Sequence, residues 1–297
     1  MYERTSFADL AKRHRPLVLP SAHDALSARL IEMAGFEAFA VSGSALLAAR
    51  YGLPDLGLAG LCDIASGTRD ILSATSLPCM GDGDDGYGGP LSVARTVREN
   101  EALGVGALVF EDQSRATKRP GQSAAQGLIS EDEMLGKLRA AIAARRAGDL
   151  WIIGRTDAYA SQGVDAAMAR GDLFLRHGAD GVFIAGVRKE EDLVRIGARF
   201  KGAPLISVMS GAEGWPWLTP RELGDLGFTV VVYPATLIQR LCLTMADVLA
   251  DLRRAVERGE APQAAVEEAR ARAILSSAVQ TSRWDAFAEA ASAADWG

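Results

Sequence analysis

Residues 77–88 read Leu-Pro-Cys-Met-Gly-Asp-Gly-Asp-Asp-Gly-Tyr-Gly, passing from apolar to acidic within one short stretch. The part from 77 to 82 reads as a buried strand entering a turn. The glycines at 81, 83, 86 and 88 allow backbone geometry that other residues resist and let a ligand approach the main chain. Asp82 and Asp84 stand two residues apart, so in extended chain both carboxylates project from one face. Close carboxylates repel unless a proton or a cation lies between them, and a hard cation such as Mg2+ prefers oxygen ligands. Two readings stand side by side: a metal-binding loop at a strand end, or an acidic glycine-rich surface turn.

The same strand-then-helix alternation extends outward in both directions. Apolar runs at 17–20, 38–42, 77–82, 106–111, 150–155, 180–184, 204–209 and 228–233 are expected strands. Helices are expected at 24–34, within 61–74, and at 93–103, 131–147, 163–177, 189–200, after Thr219 and at 235–258. Near-continuous apolar strands alternating with amphipathic helices imply a parallel sheet. Eight such units predict an α/β fold, a closed (β/α)8 TIM barrel over residues 1–258, with a doubly wound sheet as the lesser option. The length of 297 residues suits one barrel, and the first unit carries no glycine-rich dinucleotide or phosphate fingerprint. Residues 259–297 form a C-terminal helical segment too small to fold alone. Its apolar positions, with Trp284 and Trp296, suit packing on the barrel or exchange between subunits.

A net charge of −6 argues against nucleic acid as the main partner, since phosphate contact needs a basic face. The three cysteines have no paired spacing, which argues against a disulfide framework or zinc site; Cys79 and Cys242, in apolar runs, are expected in the core. Residues 1–15 lack an apolar signal core and no apolar run reaches membrane-spanning length, so the expected compartment is the cytoplasm, with no membrane partner. Of the three histidines, His14 lies in a basic surface run and His177 near a helix end. Only His23 falls at a barrel-mouth position.

In a barrel, chemistry gathers at the carboxyl ends of the strands. Four sets of polar residues fall there: Ser42, Gly43 and Ser44; Asp82 and Asp84; Glu111, Asp112 and Gln113; and Arg155, Thr156 and Asp157. Three carboxylates with a guanidinium opposite suit a Mg2+-chelated 2-oxo or 2-hydroxy acid, with Arg155 able to hold a carboxylate bidentately. The alternative for Arg155 is a barrel-mouth salt bridge with Asp157 or Glu111.

The segments at 21–29 (Ser-Ala-His-Asp-Ala-Leu-Ser-Ala-Arg), 41–44 (Val-Ser-Gly-Ser), 52–55 (Gly-Leu-Pro-Asp), 82–88, 111–113 (Glu-Asp-Gln) and 154–158 (Gly-Arg-Thr-Asp-Ala) together resemble the isocitrate lyase/phosphoenolpyruvate mutase superfamily. The resemblance covers roughly residues 15–245. It implies a (β/α)8 barrel, Mg2+ (or Mn2+) bound through Asp82, Asp84 and Glu111, and substrates that pass through the enolate of a 2-oxo acid. It also implies a homotetramer (or homodimer) with a swapped C-terminal helix. Carried over by position, Ser42, Gly43 and Ser44 would hold the oxo-acid oxygens, Asp55 would lie near the metal and substrate, and Arg155 would stabilise charge. Gly121 and Gln122 would contact the substrate from the loop after strand four.

That loop departs from the superfamily pattern. The lyases carry Lys-Lys/Arg-Cys-Gly-His there, whereas this chain reads Lys118-Arg-Pro-Gly-Gln122, with proline in place of the acid–base thiol. A proline cannot transfer a proton, so the donor would be water, Tyr87 or Lys118. The mutase element fails too, because Gln113 stands at its lysine. The glutamate expected after strand six is Ala185, and after strand seven Val208 and Gly211 replace Asn and Glu, with Glu213 nearby. These losses imply a more apolar distal pocket, with Trp215 and Trp217 as candidate walls or simply loop packing. The leading expectation is a Mg2+-dependent carbon–carbon bond lyase, of retro-aldol or decarboxylase type, acting on a small 2-oxo or 2-hydroxy carboxylic acid. The alternatives are a phosphorus–carbon enzyme, of phosphonopyruvate hydrolase or carboxyphosphonoenolpyruvate mutase type, and a metal-binding barrel that no longer catalyses.

Overall fold

The computed structural model describes residues 5–118, 127–146, 148–211, 213–262 and 267–293. Eight parallel strands close into a barrel in chain order: β1 Leu17–Ala22, β2 Phe39–Val41, β3 Cys79–Asp82, β4 Ala107–Glu111, β5 Trp151–Thr156, β6 Gly181–Ile184, β7 Leu205–Val208 and β8 Val230–Tyr233. Pairing of Leu17 through Pro20 with Val230 through Tyr233 joins the last strand to the first. Around them run α1 Phe7–Arg13, α2 Ala25–Met33, α3 Gly43–Tyr51, α4 Leu61–Ala74, α5 Pro90–Leu103, α6 Glu131–Ala144, α7 Ala158–Arg176, α8 Glu190–Arg199 and α9 Pro220–Leu226. The (β/α)8 barrel expected from the alternating pattern is the observed fold.

Alternation along each strand decides what faces inward. Leu19, Ala40, Met80, Val109, Ile153, Phe183, Ile206 and Val230 belong to one buried cluster that fills the barrel. Two residues further along β3, β4 and β5 the same inward positions are Asp82, Glu111 and Arg155. The core period thus delivers the charged residues to the mouth. Helix boundaries follow local chemistry. Asp24 and Ser27 form a capping box on α2, Thr219 and Glu222 another on α9, and Gly104 ends α5 in the left-handed region.

Three local features differ from the sequence expectation. Two helices rather than one follow β2, because α3 starts directly on the Ser42-Gly43-Ser44 segment. The helix expected at 163–177 begins at Ala158 and is interrupted at Gly163, whose φ of 83° breaks the helical path. An additional helix, α1, precedes β1 and packs Phe7 edge-on against Trp151, with ring centroids 5.8 Å apart.

The chain divides into two units, Met1–Leu237 and Ile238–Gly297. The second holds most of α10 (Thr236–Arg258), with α11 (Glu268–Ala278) and α12 (Thr281–Ala293). Cys79 is buried as expected, but Cys242 is exposed. Its apolar run is one stripe of a long amphipathic helix, and a small helical unit has too little interior to bury it. Leu243, Val248, Leu249, Val256, Trp284 and Phe287 are likewise exposed. No helix among the described residues is long and apolar enough to cross a membrane.

One helix contact depends on a missing side chain. A Cβ built on Gly197 of α8 would stand 2.0 Å from the Leu226 carbonyl oxygen of α9, and a backbone oxygen cannot swing aside. Gly197→Ala is expected to cost about 1–3 kcal/mol through forced separation of the two helices. At roughly 2–4 °C per kcal/mol for a chain of this size, calorimetry should show the melting point falling by several degrees. An unchanged melting point would mean that the helices part freely.

Candidate active site

The acidic loop after β3 is held from three sides. Gly83 N donates to the Val109 carbonyl (2.8 Å), and a Cβ at Gly83 would meet that same oxygen at 2.6 Å. Asp84 and Tyr87 both adopt positive φ (50° and 58°), a conformation that non-glycine residues resist and that this loop imposes. From the neighbouring unit, Gly43 N at the start of α3 donates to Asp82 Oδ2 (3.1 Å), and a Cβ there would lie 2.8 Å from that oxygen. The position is therefore a glycine for close approach, and a helix N-terminus faces the carboxylate.

Two arginines and a lysine organise the carboxylates. Glu111 and Arg155 are paired across β4 and β5, and Arg155 Nη1 lies 2.9 Å from Glu111 Oε2. Arg155 Nε and Nη2 each donate to Asp157 at 2.9 Å. The guanidinium also stacks on the Phe183 ring at 5.3 Å. Both salt bridges anticipated as the alternative for Arg155 are thus present, and they orient the group; two of its five N–H donors are spent on Asp157, while Nη1 faces Glu111. Lys118 Nζ stands among Asp84 (3.0 Å), Asp55 (3.2 Å) and Glu111 (3.3 Å). Arg115 binds Asp84 Oδ2 (2.7 Å) and Asp85 Oδ1 (2.6 Å), and donates to the carbonyls of Gly57 and Ala59 (3.0 Å each). It thereby ties the 52–60 loop, which carries Asp55, to the acidic loop. Lys137, buried, donates to the Asp85 carbonyl at 2.8 Å.

Burial and charge set the proton affinities. Burial pushes the Asp82 carboxyl above its usual range, with Asp84 beside it adding to the rise. Burial pushes Glu111 well above the usual range, against the pull of Arg155. Burial acts the same way on Asp84, but Lys118 and Arg115 outweigh it and hold that carboxyl below its usual value. Burial, then Asp82 and Asp84, raise the Tyr87 phenol well above its ordinary pKa. Burial works against the charge on Lys118, yet Glu111, Asp84 and Asp55 raise it overall. Both candidate donors therefore keep their protons at neutral pH.

Gly43, Ser44, Asp55, Asp82, Glu111 and Arg155 share one recess, with Asp84 and Tyr87. Ser42 Oγ lies 3.1 Å from Ser44 Oγ at its edge. Of the expected site residues, Ser42, Gly43, Ser44, Asp55, Asp82, Asp84, Tyr87, Glu111, Lys118 and Arg155 meet here. Gly121 and Gln122 lie outside the described residues. His23 does not join them: buried, with Nδ1 unpartnered, it lines a different recess beside Arg50 and Asp70. Trp215 lines a cavity that adjoins Arg155, while Trp217 is exposed and meets the Tyr233 ring at 6.0 Å. Arg115, Asp85 and Lys137 escaped the sequence reading, since an arginine in a Ser-Arg-Ala-Thr loop and a lysine inside a helix carry no local signal.

Among the described residues, no three acid, histidine or cysteine side chains converge closely enough to hold a metal as they stand. Lys118 takes the central place. The donor set nevertheless fits a hard divalent cation. Glu111 Oε1 is buried and makes no hydrogen bond, with Lys118 Nζ 3.3 Å away as its ionic neighbour. Around the recess six carboxyl groups, Asp55, Asp82, Asp84, Asp85, Glu111 and Asp157, face Arg115, Lys118, Lys137 and Arg155, so the oxygen donors a hard cation prefers are gathered here.

The family model described as phosphoenolpyruvate phosphomutase matches residues 7–253. The chain belongs to the phosphoenolpyruvate mutase family. It is 34% identical over 245 residues to the 2,3-dimethylmalate lyase of Eubacterium barkeri, covering 82% of this chain and 84% of that one. It is 37% identical over 230 residues to the 2-methylisocitrate lyase of Halalkalibacterium halodurans, covering 77% and 75%. A solved phosphonopyruvate hydrolase in complex with oxalate and Mg2+ superposes with a TM-score of 0.79 at 27% identity, covering 96% of this chain and 98% of that one. The family assignment agrees with the superfamily to which the segments at 82–88, 111–113 and 154–158 pointed.

Proposed function

We propose that this member of the phosphoenolpyruvate mutase family is a divalent-metal-dependent lyase that cleaves a carbon–carbon bond in a 2-oxo or 2-hydroxy carboxylic acid. The observation that carries this reading is the gathering of Asp82, Asp84 and Glu111 in one recess with Arg155 along its wall. Two lyases among the relatives support the reaction class. Asp82, Asp84 and Glu111 would hold Mg2+ or Mn2+. Such an ion, when bound, polarises a substrate oxygen and offsets the negative charge that collects there as the bond breaks. Arg155 binds the substrate carboxylate or enolate oxygen through its remaining N–H donors, prepositioned by Asp157 and Glu111. Ser42 and Ser44 present hydroxyls to the acid head. Lys118, at the recess and protonated, supplies the proton that the carbanionic carbon needs, and Tyr87 is the second candidate.

Metal binding has a proton signature. Asp82 and Glu111 are held above the usual carboxylate range, so a cation competes with protons for them, more so as the pH falls. Titration calorimetry is expected to show Mg2+ affinity weakening as the pH is lowered. Mg2+ at about 100 times its Kd should add about 2.7 kcal/mol, a rise of roughly 5–10 °C in melting point that a chelator reverses. Asp84→Ala should abolish both effects. A protein whose melting point ignores Mg2+ would sink the metal assignment.

The activity itself is tested by a Mg2+-dependent screen of 2-oxo and 2-hydroxy acids followed by proton and phosphorus NMR, with Asp84→Ala as blank. Appearance of a smaller 2-oxo acid establishes the lyase. Loss of a phosphonate signal would transfer the assignment to phosphorus–carbon chemistry. Turnover equal in the blank would remove the carboxylates from the mechanism. The proposal includes a second copy of the chain over the apolar residues exposed on Ile238–Gly297, which sedimentation analysis tests.

A further inference from the structure

The mouth of this barrel has two halves of opposite character. On β3, β4 and β5 the last inward positions are Asp82, Glu111 and Arg155; just past β6 and at the end of β7 stand Ala185 and Val208. Phe183, one step below Ala185, presents its ring to the Arg155 guanidinium at 5.3 Å and so forms the border between the halves. Beyond that border lies a cavity of about 280 Å³ that shares Arg155 with the carboxylate recess. Its walls are Phe183, Ala185, Val208, Met209 and Trp215, and it reaches down to Leu193 and Phe228 in the interior. Its polar side chains are few: Asp157, bound by Arg155; Arg188, exposed at the rim with its guanidinium 5.0 Å from the Trp215 ring; and Ser207 and Ser210.

A ligand spanning the two halves must therefore be two-faced. Its acid head belongs with Arg155 and the carboxylates. Whatever extends past Phe183 meets mostly hydrocarbon, and a second charged group seated in its depth, away from Arg188 at the rim, would lose its water for little more than the Ser207 hydroxyl. The volume lies near the small end of ligand cavities, about 300–1,000 Å³, which suits a short branched chain or a single ring. We infer that the substrate is an acid bearing an apolar substituent, branched alkyl or ring-like, seated between β6, β7 and Trp215, with Ala185 and Val208 setting its size. This rests on the proposed reading of the recess as the acid-binding site.

The test separates the two ideas by probing head and tail independently. Oxalate measures the head alone; N-methyl, N-isobutyl and N-benzyl oxamate carry the same kind of head with growing tails. Affinities are measured by titration calorimetry on the full chain with Mg2+ present. Each buried methylene is worth about fourfold, so N-isobutyl oxamate is expected to bind at least tenfold more tightly than N-methyl oxamate. Ala185→Leu, which fills the cavity with hydrocarbon, should erase that gain while oxalate affinity stays within about threefold. Val208→Asp, folded by circular dichroism, should do the same by making the wall polar. Equal affinity along the series, with oxalate bound, would overturn the apolar tail and leave the proposed chemistry standing. Tail selectivity that survives both variants would also overturn it. Failure of oxalate itself to bind would bring down both the proposed function and the inference built on it.

Discussion

Arg155→Lys is expected to lower kcat/KM by roughly 10²–10³-fold, and the affinity for oxalate in the presence of Mg2+ by a similar factor, in a chain that still folds. The guanidinium donates two N–H groups to Asp157, sets Nη1 2.9 Å from Glu111 and stacks on Phe183. A lysine ammonium is a point charge and cannot serve both carboxylates in the same plane while offering further donors to a ligand. Glu111, held well above the usual carboxylate range by burial, would keep a positive charge nearby but lose the fixed guanidinium contact that most opposes that rise. It would therefore hold its proton more tightly and bind a cation less well. Two readouts separate a positional role from a merely structural one: the oxalate titration and the Mg2+-dependent melting shift should weaken together. Retention of both would show that Arg155 only braces the mouth.

The second large effect concerns stability. Asp112→Ala is expected to lower the melting point by roughly 10 °C. Asp112 is fully buried and accepts from Thr156 Oγ1 (2.6 Å), Asp157 N (3.0 Å) and Arg170 Nη1 (3.1 Å). Without the carboxylate, the buried Arg170 keeps, among the described residues, only the Ile129 carbonyl, and an unpaired buried charge costs about 3–5 kcal/mol. For a chain of this size that is about 6–20 °C. Burial keeps the Asp112 carboxyl somewhat above its usual range despite these partners, so its contribution depends on them rather than on exposure to water. Asp112→Asn, which preserves an acceptor oxygen, should fall between wild type and Asp112→Ala. A loss below about 2 °C for the alanine variant would mean that Arg170 finds another route to solvent or partner. Sequence reading grouped Asp112 with the mouth residues. The fold places it one step off the inward face, where it works as a buried anchor for the residue that orients Arg155.

Much of this architecture was readable in one dimension because strand burial is periodic. Apolar runs of four to six residues separated by amphipathic helices specify a parallel barrel, and the period of two that fills the barrel with Met80, Val109 and Ile153 also carries Asp82, Glu111 and Arg155 to its open end. The family motifs are the same residues seen as a pattern. Helix α3 was missed because nine residues with a mixed polar face give little periodic signal, although its start on Gly43 is what aims a backbone N–H at Asp82. Cys242 was misplaced because an apolar run on a long helix looks the same whether or not a partner covers it.

Sequence alone therefore determined the barrel, the ring of carboxylates with its arginine, and the absence of a thiol at the loop after the fourth strand. Only tertiary structure decided that Lys118 stands among Asp55, Asp84 and Glu111, and that Arg115 ties two loops through four partners. It also decided that the mouth is charged on one side and apolar on the other. The physical reason is range. Strand and helix periods are local properties written within a few residues, whereas a side chain that reaches across 30 to 63 residues of sequence to its partners is placed only when the barrel closes.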